Sequence, residues 1–280
     1  MHKAMILALA ATSLVALSGC KQANSGGNAA TENGSAPAAG ADAISGTWKA
    51  DLSTVQMNQK PDELLLTGGQ FSCASCTPPL KIAADGAFHP VTGRPYADSI
   101  AVEIDDDHNV TRTDKKGNRV TSEGKYSVSA DGKTLTINFT DSSVPNKPVT
   151  GSLTETRVAP APAGAHAISG SWKVDKYNNV SDEGLTVTYK LEGDTLHMSS
   201  PTGQSFDAKL DGTPAPIKGD IGGTTVSVKK VGDNSFEETD TSNGKVVSVA
   251  TFTVGADGKL HVSTSDKRND SSMTFESNRQ

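Results

Sequence analysis

The chain repeats itself, and that restricts its fold more than any other feature. Gly40-Ala41-Asp42-Ala43-Ile44-Ser45-Gly46-Thr47-Trp48-Lys49-Ala50-Asp51 returns as Gly164-Ala165-His166-Ala167-Ile168-Ser169-Gly170-Ser171-Trp172-Lys173-Val174-Asp175, and these stretches hold the only two tryptophans. A second, ungapped match sets Asp85–Lys133 against Asp211–Lys259 at an offset of 126 residues, with 15 of 49 positions identical. Just past Lys133 the second copy drops one residue, so that Leu135 and Ile137 meet Leu260 and Val262. This adjustment keeps the facing of each side chain, since a one-residue slip turns a whole strand over. The period is far too long for a solenoid repeat, so each copy is expected to carry a core of its own.

Within a copy the hydrophobic period is two. Ile100, Val102 and Ile104 alternate with Ser99, Ala101 and Glu103, and Leu135, Ile137 and Phe139 alternate with Thr and Asn. Leu185, Val187, Tyr189 and Leu191 repeat the pattern, which is that of strands with one buried face. Turn signals such as Asp85-Gly86, Asp131-Gly132, Asn243-Gly244 and Asp257-Gly258 separate them and supply the positive φ that tight hairpins need. No amphipathic helical window stands out. Pro61–Leu66 reads equally as a strand or a single helical turn. The expected fold is all-β: two tandem up-and-down antiparallel β-barrels of about eight or nine strands each.

Composition enters at the ends of these units. Residues 1–19 join a basic start at Lys3 to an apolar run and small residues, the pattern of a secretory signal too short to span a bilayer. Residues 20–42 are rich in Gly, Ala, Asn and Ser and read as a flexible tether. The first barrel domain is placed at 43–158, a Pro/Ala linker at 159–166 and the second barrel domain at 167–280. With 26 Lys and Arg against 32 Asp and Glu, the net charge of −6 offers no basic surface for nucleic acid, so no nucleic-acid partner is expected.

Leu17-Ser18-Gly19-Cys20 resembles the lipobox of bacterial lipoproteins. That resemblance implies lipidation of Cys20, which then becomes the first residue of the mature chain and its membrane contact. Each buried methylene would add about 0.8 kcal/mol to the anchor. Lys21 stands where Asp is the usual signal for inner-membrane retention, so the resemblance points to the outer membrane of a Gram-negative cell. Gly-x-Trp at Gly46/Trp48 and Gly170/Trp172 resembles the opening motif of lipocalins and related calycin barrels. There the Trp closes one barrel end, often beneath an Arg from the last strand, a part the resemblance offers to Arg157 or Arg279. Ile-Ser-Gly-Thr-Trp-Lys, the stretch from Asp85 to Gly93 and the late Ala-Asp-Gly-Lys are similar to a group of exported bacterial proteins without assigned activity.

Three segments suggest chemistry. Cys73-Ala74-Ser75-Cys76 leaves three readings open: a local disulfide in an oxidising compartment, a thiol–disulfide exchange site, or half of a zinc site with His89 nearest. Thr77-Pro78-Pro79 follows at once, where a redox site would place a helix. Asp105-Asp106-Asp107-His108-Asn109 misses the calcium-loop template at its sixth and twelfth positions, Val110 and Lys116, and reads as a turn. Ser227-Val228-Lys229-Lys230 matches Ser-x-x-Lys but lies on an expected strand, without companion motifs. No nucleophile–base pair, cofactor loop or metal-ligand spacing can be nominated. The expected function is therefore a non-enzymatic envelope module, either binding a small apolar ligand or an envelope protein, or serving as a structural element of the envelope surface. The alternative is a thiol–disulfide or metal-binding protein acting through Cys73 and Cys76.

Overall fold

The computed structural model describes residues 43–280. The expected signal, tether and lipidated Cys20 lie outside the described residues. The first copy supplies β1 (Gly46–Asn58), β2 (Asp62–Thr67), β3 (Gln70–Cys73), β4 (Leu80–Ala83), β5 (His89–Pro90), β6 (Ser99–Ile104), β7 (Asn109–Lys116), β8 (Arg119–Val128), β9 (Thr134–Asp141) and β10 (Val149–Ala159). The second supplies β11 (Gly170–Val180), one helical turn α1 (Asp182–Leu185), β12 (Thr186–Glu192), β13 (Thr195–Ser199), β14 (Ser205–Lys209), β15 (Ala215–Pro216), β16 (Thr225–Gly232), β17 (Ser235–Ser242), β18 (Lys245–Val254), β19 (Leu260–Asp266) and β20 (Ser271–Arg279). The fold is all-β, in two nearly closed antiparallel barrels. Each sheet has ten strands rather than eight or nine, the excess including the two-residue strands β5 and β15. Pro61–Leu66 resolves in favour of a strand, since β2 pairs on both edges.

The sheets do not follow the repeat. One runs β4-β3-β2-β11-β10-β9-β8-β7-β6-β5, and the other β14-β13-β12-β1-β20-β19-β18-β17-β16-β15. Each copy's opening strand has thus crossed into the barrel of the other. β11 lies between β2 and β10, and β1 lies between β12 and β20. The segment boundaries 43–158 and 167–280 mark the copies, whereas each barrel draws on both. The short Pro/Ala connection favours this, because it folds β11 straight back beside β10, with Arg157 opposite Trp172 and Ala159 opposite Ser171. The exchange costs little in contacts, because the two opening strands carry nearly the same sequence and fill the same slot.

Two apolar cores result. Ile44, Trp48 and Ala50 pack with Leu196, Phe206, Phe252 and other second-copy residues, while Ile168, Trp172 and Val174 pack with Leu66, Ile100, Leu135 and others of the first. Tyr189, Phe252 and Phe236 stack in series, with ring centroids 5.3 and 5.7 Å apart. The Asp-Gly turns that align between copies help close each barrel: Gly86 N donates to Val102 O at 2.9 Å and Gly212 N to Val228 O at 3.0 Å. Alternation holds along most strands, yet Ile104, at the end of β6, is exposed beside its turn.

Candidate functional site

One end of each barrel is sealed. Trp48 and Trp172 are fully buried, and each indole Nε1 donates to the carbonyl four residues earlier, Ile44 and Ile168, at 2.8 Å. Over each indole lies an arginine from the last strand of the other copy: Arg157 Cζ sits 4.0 Å from the Trp172 ring centroid and Arg279 Cζ 4.2 Å from that of Trp48. Each guanidinium also donates to carbonyls of the segment entering the Gly-x-Trp strand, Arg157 to Ala167 and Ser169, Arg279 to Ala43 and Ser45. This explains the glycine of the motif. Gly170 has φ +133°, and a Cβ there would lie 2.5 Å from Arg157 Nη1 and 2.8 Å from the Ala159 carbonyl.

Away from these seals the barrels share a cavity of about 650 Å³. Tyr126, Phe139 and Leu153 contribute from one sheet, and Met198, Phe206 and Phe275 from the other. Loops of the two copies meet at its waist, where Tyr96 OH donates to Asp220 Oδ1 at 2.5 Å and Asp220 Oδ2 accepts from Thr224 N at 2.7 Å. A Cβ on Gly222 would lie 2.7 Å from the Tyr96 ring, so only glycine admits that close approach. Burial and the Asp220 carboxylate both push the Tyr96 hydroxyl far above its ordinary range. Neither tryptophan lines the cavity.

The cavity walls carry charge that sequence reasoning did not single out. On β7 the inward set is Val110, Arg112 and Asp114; on β17 the repeat places Phe236, Glu238 and Asp240. Arg112 donates twice to Asp114, Nε to Oδ1 at 2.8 Å and Nη2 to Oδ2 at 3.1 Å, and both residues are buried. Burial works against the Arg112 charge, but Asp114 and then Tyr126 outweigh it, leaving the guanidinium more basic than usual. Among the described residues Glu238 has no such cationic partner. Burial first, then the neighbouring Asp240 carboxylate, raises its carboxyl well above the usual range. Arg268 is engaged instead by Asp266, through Nε at 2.8 Å and a shorter contact from Nη2.

A second acidic pair is Glu155 on β10 and Asp62 on β2. Burial, reinforced by Asp62, pushes Glu155 up to about 9. Among the described residues neither Glu155 oxygen meets a donor, and the nearby Asp62 carboxylate adds to the burial that keeps it protonated. Their neighbours include Cys73 and Cys76, which are joined in a disulfide and buried. Ser75, between the two cysteines, donates from Oγ to Asp62 Oδ1 at 3.0 Å and accepts from Glu63 N at 3.1 Å. The bridge therefore shapes a loop that holds a buried carboxyl. The cysteines border a void of only about 10 Å³ and not the large cavity. His89 is engaged by Asp85 at 2.8 Å, and among the described residues no group of three or more His, Cys, Asp and Glu could hold a metal ion. Asp105–Asn109 forms the β6–β7 turn, with Asp106 accepting from His108 N and Asn109 N, and Ser227–Lys230 lies within β16.

Periodicity held a signal for Arg112, Asp114 and Glu238, because each sits in phase with a buried apolar neighbour, Val110 or Phe236. A charge at a core position of a strand must be paired or functional. Nothing local in the sequence signals the shared cavity, which depends on loops of both copies. Compared with known protein families, the chain matches no family model. No curated protein matches it either.

Proposed function

We propose that this chain is a binding protein of the bacterial cell envelope, lipid-anchored through Cys20, that holds a small, largely apolar molecule in the cavity between its barrels. The observation that carries this reading is the cavity's size and lining. Its volume, about 650 Å³, falls within the roughly 300–1,000 Å³ of small-molecule sites, and aromatic and aliphatic side chains from both sheets line it together with many polar and charged ones, among them Arg112, Glu238 and Asp240. A barrel filled by its own side chains would leave no such space. The anchor rests on Leu17-Ser18-Gly19-Cys20 alone. Turnover by Cys73 and Cys76 is disfavoured by their burial, since exchange requires a thiolate to reach a sulfur.

The test is titration with the uncharged fluorophore N-phenyl-1-naphthylamine. Saturable enhancement at one site per chain, lost in Ala250→Phe, supports the reading, because Ala250 lines the cavity. Absence of enhancement with folded protein refutes it and leaves docking to another envelope protein. Incorporation of labelled fatty acid into the wild type but not into Cys20→Ser tests the anchor.

A further inference from the structure

We infer that the second-copy half of this cavity is built to take an amine carried on an apolar body, with Glu238 as the group that receives the ammonium. The inference rests on the binding role proposed above and names the ligand's chemistry. It starts from a place where the two barrel interiors diverge in charge. In the first copy the inward-facing pair on β7 is Arg112 and Asp114, a cation and an anion that satisfy each other through two hydrogen bonds. At the matching positions of β17 the pair is Glu238 and Asp240. The anion of the pair is retained and the cation has become a second acid.

That change leaves an unmet requirement. Glu238 is 5% exposed, lines the cavity, and its Oε2 is buried without a hydrogen-bond partner among the described residues. A buried carboxyl lacking a partner is costly, and a positive donor placed against it relieves the cost most fully. The titratable groups acting on it are Asp240 on the same strand and Tyr189 from β12, while Arg268, in the turn after β19, acts on Asp266 and Asp240. Tyr189 is held neutral by burial and by Glu238 and Asp240. Arg268 is committed to Asp266 by two hydrogen bonds, so its charge is already shared. Phe206, Phe275, Met198 and Met273 line the same half and suit the apolar body. An ammonium entering there keeps its three protons, and Glu238 gives up its own proton to solvent to form the ion pair.

The experiment compares octylammonium with octan-1-ol by calorimetry near neutral pH, using the purified full chain. The two probes share the alkyl body and differ in the charged head. Octylammonium should bind at least about tenfold more tightly, the scale of one charge-assisted pair. Its measured heat should vary with the ionisation enthalpy of the buffer, reporting a released proton. Glu238→Gln should remove the amine preference and the proton release while keeping the octanol affinity, which also shows that the cavity is intact. Glu238→Arg, which restores the first copy's pattern, should keep octanol binding and abolish that of the amine. Equal affinities for the two probes in the wild type overturn the amine inference and leave the cavity reading standing. Failure of both probes to bind overturns both.

Discussion

At the residue scale, the molecule's specificity lies in a few side chains whose environments differ from their neighbours'. Gly170 is one: the Ala159 carbonyl and the Arg157 guanidinium occupy the space a Cβ would take. Gly170→Ala should cost about 1–3 kcal/mol, read as a lowered midpoint in urea. Trp172→Ala, which empties a fully buried site and strands Arg157, should cost about 3–5 kcal/mol. Glu155 sets a pH dependence. In the folded chain it holds its proton up to about 9, against an ordinary value of 4.5. The folded state thus binds the extra proton between those values, so stability is greatest at and below the lower one and falls as pH rises towards the upper. Glu155→Gln, neutral at every pH, should flatten that fall and raise Tm near about pH 8 while changing little near about pH 4. Identical pH slopes for variant and wild type would contradict this assignment.

At the element scale, the strands were legible because period-two alternation survives wherever one face is buried: Leu135 to Ile137 and Val187 to Tyr189 both read correctly, as does the strand expected across Ser227–Lys230. The Asp-Gly turns also read correctly, since Gly86, Gly132 and Gly258 take the positive φ their dipeptides promise. Which strand partners which was not legible. Ile44–Lys49 and Ile168–Lys173 are nearly the same words, so nothing in either says whose barrel it will enter, and the length of the Pro/Ala connection decides. The large cavity was hidden for a related reason, as it needs Tyr96 and Asp220, 124 residues apart, to meet. The Cys73–Cys76 loop was legible as a bridge but not in its purpose, which is to present Ser75 to Asp62. Replacing both cysteines by Ser should lower stability by about 2 kcal/mol, the scale for closing so short a ring, with the barrels retained. Loss of all β circular dichroism would show the bridge to be essential instead.

At the scale of the whole molecule, the strand exchange makes the two barrels one unit. A protease site placed in 159–166 and cut in the folded protein should leave two fragments that co-elute on gel filtration and part only in denaturant. Each fragment lends one central strand to the other's sheet. Fragments that separate under native conditions would contradict the exchange. The same weave determines how the chain bears load. β1 begins just after the proposed tether and is stitched on one edge to β20, with Gln280 N donating to Thr47 O at 2.8 Å, and on the other to β12. A tug on the N-terminal side is therefore taken up by the barrel farther along the chain, through two rows of hydrogen bonds, before any pull reaches β2. The leading end is buttressed by the trailing one, so a pull applied there must shear β1 from two neighbours at once.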